Sequence, residues 1–436
     1  MIKVFAYHNG FNGVSMYRVW QPMKYLSKME GFKVKQLPER SERVIWQGLE
    51  GPCNIPTIGS HAEIVENNDV IFSNFANSMQ NSARLWAQAQ LKPLIIDIDD
   101  DIENIEEINP NYKAWHQDDG AQDKLVDITP ENEEDLKRMA AQNRGNFVEL
   151  SGVWYFHEHR IPLKENVYRA MEKAALVTVS TERLKKLYKP HAQNIVVIPN
   201  GIDFDNFPVL PERKNDGFIR LGLFGSNTHY WDWKELAPVL KKILDDFPNV
   251  KLCFNSWFTA VSKPGQSLEE MEKRVILPEI FEKLGINGHE RVEIHEPVEI
   301  GDYFEWLSRK SIDIGLAPLR DSIFNRAKSN IKYLEWAALR TPVIAQDIEV
   351  YNEDIKHGFN GMLAGSKQEW HQCLVELIRN EKLRHDMGQR AYLDAKSRYD
   401  MPIIARKLAG EIKKLLGVEN ESIEDRAAGL GLVLAK

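Results

Sequence analysis

The sequence predicts an α/β protein built from two Rossmann-like halves, and three observations carry that prediction. A strand, a glycine turn and a helix open the chain, over Lys3–Ala6, His8–Gly13 and Ser15–Lys28, and the same order starts again at Ile219–Phe224, Gly225–Asp232 and Trp233–Asp246. Between the two openings, short apolar runs alternate with stretches of helical period, as a parallel sheet with crossover helices requires. At 436 residues the chain is also too long for one compact core.

Composition narrows the class. Charged residues make up 28% and hydrophobic residues 43%, the balance of a globular protein rather than a disordered one. The formal net charge of −8 gives no general basic field toward nucleic acid or an anionic membrane, although Arg160, Lys164, Arg169, Lys173 and Lys185-Lys186 could line a local groove. Cys53, Cys253 and Cys373 are odd in number and far apart, which predicts reduced thiols rather than a disulfide framework or metal cluster. The opening MIKVFAYHNG reads as strand and turn rather than as a signal sequence. No run approaches eighteen apolar residues, so no bilayer span is expected, and the expected location is cytoplasmic.

In the first half, Gly10 and Gly13 permit a ligand to approach the backbone, and Arg18 lies one turn into the helix that follows. Further strands are expected at Lys33–Leu37, Val70–Asn74 and Pro93–Ile98, the last running into Asp97-Ile98-Asp99-Asp100-Asp101. Carboxylates crowded at a strand's C-terminal end repel one another, so they are read as serving a metal, sugar hydroxyls or base catalysis, or as capping through Asp99 or Asp100. The stretch 102–163 is read as an insertion with helical segments. Its aromatic patch Trp154–His159 flanks Glu158 with histidines at i and i+2, which is not the i,i+4 pairing of a helical zinc site. A strand near Ile195–Ile198 breaks at Pro199 and turns on Gly201, and the polar, proline-rich run from Phe207 to Gly217 marks a boundary. The expected domains are 1–208, 209–398 and a C-terminal helix and tail, 399–436.

The second half carries the sharpest signal, FNRAKSNIKYLEWAALRTPVIA from Phe324 to Ala345. Ile331, Leu334, Ala338 and Leu339 make one apolar helical stripe, and Thr341-Pro342 stops it before a short strand. Arg326, Lys328 and Ser329 precede the helix, with Ser329 the expected N-cap. Free first-turn N–H groups, the helix dipole and two cations attract phosphate, and Glu335, one and a half turns on, can accept hydrogen bonds from a hydroxylated ring. The plainer reading is a capped amphipathic helix with Lys332 and Glu335 as a solvated i,i+3 pair.

Four stretches in order, Val197–Asp203, Gly225-Ser226-Asn227-Thr228-His229 with Asp232, Lys328-Ser329 through Glu335, and Gly358-Phe359-Asn360-Gly361, resemble family 4 glycosyltransferases across nearly the whole chain. That resemblance implies the GT-B architecture: two Rossmann-like domains facing a nucleotide-sugar cleft, with the C-terminal helix returning to the first domain. It implies a retaining transfer of sugar from a UDP- or GDP-sugar to a hydroxyl acceptor, on a cell-surface or lipid-linked glycan. It further implies no tightly bound cofactor and no essential divalent metal.

Carried over by position, Glu335 matches the second glutamate of the family's pair and the ribose contact. The first glutamate falls at Ala327, so Lys328 and the amides around Ser329 and Asn330 would take the diphosphate. Gly225 to His229 would supply small residues and amides, and Arg326 a further charge. Where relatives end the fifth strand in a His-Asp pair, this chain has Asp99-Asp100, placed here with Lys328 as the candidate catalytic groups. The resemblance extends to bacteriophage enzymes that glycosylate modified DNA bases, which would act in a host cytoplasm. The rival class is a non-catalytic nucleotide-sugar-binding module, and a peripheral place at the inner membrane face fits a lipid-linked acceptor.

Overall fold

A computed structural model of the chain describes residues 1–7, 12–37, 67–74, 92–107, 109, 112, 115, 124–141, 145–150, 153–158, 163–225, 229–255, 290–296 and 298–418. Gly10, Ser226, Asn227, Thr228, Cys53 and Arg160 lie outside the described residues. The chain divides into two compact units, one of Met1–Asp99, Ala114–Pro199 and Met401–Lys436, the other of Asp100–Lys113 and Asn200–Asp400.

The first unit holds a six-stranded parallel sheet. Its strands are β1 (Ile2–Tyr7), β2 (Phe32–Leu37), β3 (Val70–Asn74), β4 (Leu94–Ile98), β8 (Leu176–Val179) and β9 (Ile195–Val197), in the spatial order β2-β1-β3-β4-β8-β9. Strands β3, β4 and β8 are buried at every residue, which is why they read as mainly apolar runs rather than as alternating ones, with Ser73, Asn74, Asp97 and Thr178 the buried polar exceptions.

After β1 the chain makes one α-helical turn, Gly13–Ser15, with the Asn12 side chain accepting from the Ser15 N–H at 2.9 Å. A π-helical turn, Met16–Trp20, follows, and then α1 (Gln21–Leu26). The regular helix expected over Ser15–Lys28 is thus interrupted. Pro22 has no N–H for the Arg18 carbonyl four residues back, and the ladder widens there, with the Gln21 N–H bonding to Met16 O. The widened turn carries Arg18 into the core. Its Nε and Nη2 donate to Asp97 at 3.0 and 2.5 Å, and its Nη1 donates to the Ile198 carbonyl at 2.5 Å. Thr178 Oγ1 and Asn74 Nδ2 complete the shell of Asp97 at 2.6 and 3.1 Å. Burial opposes the charged guanidinium, but Asp97 outweighs it and holds the Arg18 pKa above its usual value.

The helical insertion expected at 102–163 is corrected. Strands β5 (Lys124–Asp127), β6 (Gly145–Leu150) and β7 (Val153–Glu158) form a separate antiparallel sheet in the order β5-β7-β6, joined by one helix, α2 (Glu133–Ala141). The reason is cross-strand pairing: Phe147 and Phe156 are directly opposed with rings 5.2 Å apart, and Phe156 is buried. Helices α3 (Leu163–Lys173) and α4 (Glu182–Tyr188) complete this unit's middle section, α4 capped by Thr181.

The second unit holds another six-stranded parallel sheet. Its strands are β10 (Ile219–Leu223), β11 (Val250–Asn255), β12 (Val292–His295), β13 (Ile314–Ala317), β14 (Val343–Gln346) and β15 (Met362–Ala364), ordered β12-β11-β10-β13-β14-β15. Its helices are α5 (Tyr230–Asp246), α6 (Tyr303–Ser308), α7 (Ile323–Arg326), α8 (Ile331–Ala338), α9 (Glu349–Asn352), α10 (Lys367–Arg379) and α11 (Glu381–Tyr399). Trp233, Leu240 and Ile243 of α5 and Trp370, Leu374 and Leu377 of α10 pack on Leu221, Leu223, Leu252 and Phe254. Trp336 of α8 packs against Gly222 and Gly315, where an added Cβ would come within 2.8 and 2.3 Å of the indole, so these strand glycines provide clearance.

Residues 200–208, expected with the first domain, pack in the second unit: Ile202 N–H donates to the Tyr399 carbonyl at 3.0 Å, and the Phe204 ring meets Tyr392 at 5.5 Å. The last helix, α12 (Met401–Leu415), returns to the first unit and packs on α1, burying Ile404, Ala405, Leu408 and Ile412 at helical spacing. No helix among the described residues is long and apolar enough to cross a membrane.

Replacing Arg18 by Met would leave Asp97 buried without its cation, and unfolding in urea should show a loss of about 3–5 kcal/mol. A loss under about 1 kcal/mol would mean that the pair adds nothing to the core.

Candidate functional site

In the second unit the strand order reverses between β10 and β13, so the loops leaving their C-terminal ends part there and open a crevice, the usual ligand position in such sheets. Gly225 follows β10 and His229 precedes α5, while Pro318 to Asn330 connect β13 to α8 by way of α7. Of the expected donor residues, Gly225 and His229 stand at the first connection and Arg326, Ser329 and Asn330 in the second, whereas Glu335 lies on α8 and Gly13 in the first unit.

Asn255, at the end of β11, fixes the first loop. Its Oδ1 accepts from the Gly225 N–H and its Nδ2 donates to the Gly225 carbonyl, both at 3.0 Å. A Cβ on Gly225 would lie 2.9 Å from His229 Cδ2, so glycine there makes room for the imidazole. His229 Nδ1 lies 2.9 Å from Asp232 Oδ2. Burial lowers the pKa of His229, Asp232 opposes that shift, and the ammonium groups of Lys328 and Lys332 push it down further, which places both lysines within electrostatic reach of the ring. Asp232 is itself buried, and its Oδ1 accepts from the Arg320 N–H at 2.8 Å and from Asn325 Nδ2 at 3.2 Å. One carboxylate therefore ties the two loops together.

Helix α8 differs from expectation at its start. The N-cap is Asn330 rather than Ser329, and its side chain does not cap but donates to Asp354 Oδ2 at 2.5 Å. Ser329 Oγ instead accepts from Asn200 Nδ2 at 2.8 Å. Asn330 thus gives the first-turn N–H groups no side-chain cap, and among the described residues the positive end of the helix is left to an anion.

The two cations separate. Arg326 donates through Nε and Nη2 to Asp321 and through Nη1 to both oxygens of Glu349, at 2.9 and 3.0 Å, so two carboxylates compensate the charge expected to face phosphate. Lys328 is half-buried, with Nζ 4.9 Å from the Phe324 ring centroid and no carboxylate partner among the described residues. Glu335 is buried, and its Oε2 accepts from Lys332 Nζ at 2.7 Å and Tyr303 OH at 3.1 Å. The Lys332–Glu335 pair is therefore an internal one, not a solvated one: the two side chains are 18% and 6% exposed. Burial and the neighbouring carboxylate hold the Tyr303 pKa well above its usual value, so it remains a donor.

The acidic run of the first half does not act as one group. Asp97 is consumed by Arg18, and Asp101 accepts from the Glu103 and Asn104 N–H groups at 3.1 and 3.0 Å, a turn rather than a helix cap. Asp99 is half-buried at the end of β4, and Asp100 is exposed. Gly13 is described, and an added Cβ there would meet nothing within 4 Å.

Sequence reasoning missed Arg320, Glu106, Tyr303, Asn200 and Asn255. Arg320 Nη2 donates to Glu106, a residue 214 positions away, and no local pattern signals such a pair. A polar residue ending an apolar strand was the signal available for Asn255.

Among the described residues one further cluster has ligand character. Cys253, Glu293 and His295 bring a thiol, a carboxylate and an imidazole within 4.8 Å of one another. Lys251 Nζ lies 2.8 Å from Glu293 Oε1 and Arg220 Nε 3.4 Å from Oε2, so the carboxylate is already balanced by cations, and the cluster is an ion-pair network. Cys253 and Cys373 are free thiols, as expected, and burial raises the pKa of both.

No family model matches the sequence, and no curated protein matches it. Similarity lies in the fold. The structure of HepE of Anabaena in complex with UDP and glucose superposes with a TM-score of 0.57 at 14% identity, over 95% of this chain and 100% of that chain. The sucrose-phosphate synthase of Thermosynechococcus elongatus gives 0.55 at 12% identity over 96% and 100%, and a glycosyltransferase of Rickettsia africae gives 0.56 at 12% over 96% and 99%. The two Rossmann-like units and these neighbours define the fold as GT-B.

Burial lowers the His295 pKa to about 4, with Lys310 adding to the shift and Glu293 opposing it. The unfolded chain then binds more protons between about pH 6.5 and 4, so this contribution is complete above 6.5 and is lost as pH falls through that window. Thermal unfolding should show an acid-side loss of about 1–2 kcal/mol that His295→Gln removes; an unchanged profile in the variant would contradict the assignment.

Proposed function

We propose that the chain is a retaining glycosyltransferase that moves a sugar from a UDP- or GDP-sugar to a hydroxyl acceptor on a glycan or lipid-linked glycan. One observation carries the proposal: Lys328, without a carboxylate partner among the described residues, precedes the uncapped first turn of α8 at the β10/β13 switch point. The binding of UDP and glucose by HepE supports the same donor class.

In this reading the diphosphate lies on the first-turn amides of α8 with Lys328 beside it, and His229 and Gly225 flank it. Lys332 and Tyr303 hold the Glu335 carboxylate in one orientation for the ribose hydroxyls. The bond between the anomeric carbon and the diphosphate oxygen breaks, and negative charge grows on the leaving oxygens where the amides and Lys328 stand. The acceptor oxygen bonds to the anomeric carbon from the same face, and its proton passes to the departing phosphate oxygen, so no enzymic nucleophile is needed. The lowered pKa of His229 favours the neutral imidazole, which leaves the ring as a hydrogen-bonding group. Asp99 and Asp100 are assigned to the acceptor and the transferred sugar. The reaction requires no divalent metal, because Lys328 and the helix end take the role of neutralising the leaving group. A cytoplasmic place, or a peripheral one at the inner membrane face, fits such acceptors.

A thermal-shift screen with UDP, GDP and ADP identifies the base, and release of nucleoside diphosphate from the matching sugar measures turnover. Lys328→Ala should lower kcat/KM about 100-fold, as removal of one stabilising charge from a leaving group does, and the product anomer read by NMR should keep the donor configuration. Unchanged turnover in that variant, or an inverted product, would contradict the proposal. Binding without any turnover or hydrolysis would favour a non-catalytic sugar-nucleotide module.

A further inference from the structure

Arg320 follows β13 by three residues and stands on the same switch-point loop as Lys328. Its backbone N–H bonds to Asp232 Oδ1 at 2.8 Å, and the other oxygen of Asp232 lies 2.9 Å from His229 Nδ1, so Arg320 is one carboxylate away from the donor loop. Its guanidinium is only partly used. Nη2 donates to Glu106 Oε2, an oxygen that also accepts from Ser322 Oγ at 3.4 Å. Nε is buried with no hydrogen-bond partner among the described residues, 3.9 Å from Asp232 Oδ1.

The contrast with Arg326, on the same loop, is informative. Arg326 presents Nε and Nη2 together to Asp321, the two-pronged pairing that matches a carboxylate or phosphate, and fills its remaining edge with Glu349. Arg320 carries the same Nε and Nη2 edge, but among the described residues only Nη2 is hydrogen-bonded, to one oxygen of Glu106, while Asp232 stays 3.9 Å from Nε, beyond hydrogen-bond distance. A phosphate would satisfy both prongs, and Glu106 satisfies one. Glu106 also comes from the acidic segment that begins at Asp100 and is counted with the second unit.

From this geometry, and resting on the donor-site reading above, we propose that Arg320 is a ligand of the donor diphosphate, and that Glu106 is the carboxylate it exchanges for that diphosphate. Glu106 then acts as an internal competitor. Donor binding frees it from Arg320, and so from the loop that carries Lys328 in the same unit. The exchange supplies the second cation that the commitment of Arg326 removes.

The competition predicts opposite signs for the two partners, which a structural ion pair does not. With the full-length chain and calorimetric titration of UDP, or of GDP if that is the base bound, Glu106→Gln should tighten binding about threefold to tenfold, because the competing charge is removed while the shape is kept. Arg320→Gln should weaken it about tenfold or more, Arg320→Lys should recover part of that loss, and Glu106→Gln should have no effect in the Arg320→Gln background. Thermal unfolding of each variant reports folding, and Glu106→Gln remains decisive if Arg320→Gln is unstable. Unchanged or weaker binding in Glu106→Gln, with nucleotide affinity still dependent on Lys328, overturns this inference alone. No nucleoside diphosphate binding by the unaltered chain overturns both readings.

Discussion

Asp232 is the constraint on which the candidate site depends. Two loops leave the sheet on either side of a strand-order reversal and would otherwise diverge, yet this buried carboxylate accepts from the backbone of Arg320 and the side chain of Asn325 in one and holds His229 in the other. A buried carboxylate is tolerated only when its lone pairs are met, so these loops are fixed with respect to each other as a condition of folding. Asn255 adds a second restraint by holding Gly225 from both sides. The result is that the start of α8, Lys328 and His229 are held on connected elements of one unit, with Lys328 within electrostatic reach of the imidazole.

Electrostatics explains why charges so close in sequence play different parts. Arg326 and Lys328 are two residues apart, but Arg326 is balanced by Asp321 and Glu349, whereas Lys328 rests on an aromatic ring. A compensated guanidinium adds little to the field at a ligand, while the Lys328 ammonium, with no carboxylate partner among the described residues, adds more. Similarly, the five-residue acidic run is divided by depth. Asp97 is neutralised inside by Arg18, Asp101 closes a turn, and Asp99 and Asp100 are left toward the surface.

Much of the fold was legible because its strands are buried on both faces, so β3 and β4 begin as the apolar runs Val70–Phe72 and Leu94–Ile96. The helix that carries Glu335 was legible for a similar reason, since the spacing of Ile331, Leu334 and Ala338 marks its apolar face. What escaped is non-local or competitive. Arg18 meets Asp97 across 79 positions and Arg320 meets Glu106 across 214, distances over which a linear pattern carries no signal. Ser329 looked like the cap because serine is a good one, but Asn200 claims its hydroxyl and Asp354 claims the side chain of Asn330. The antiparallel sheet of β5, β6 and β7 was hidden by a polar helix between its strands.

The central claim is that the open end of α8 and Lys328 form the seat for a nucleoside diphosphate. A crystal structure of the chain with the nucleoside diphosphate it binds tests this most directly. The phosphates should lie within hydrogen-bonding distance of the N–H groups of Ile331 to Tyr333 and of Lys328 Nζ, with the ribose against Glu335. A nucleotide bound elsewhere, with Lys328 still resting on Phe324 and the first turn of α8 untouched, would contradict it.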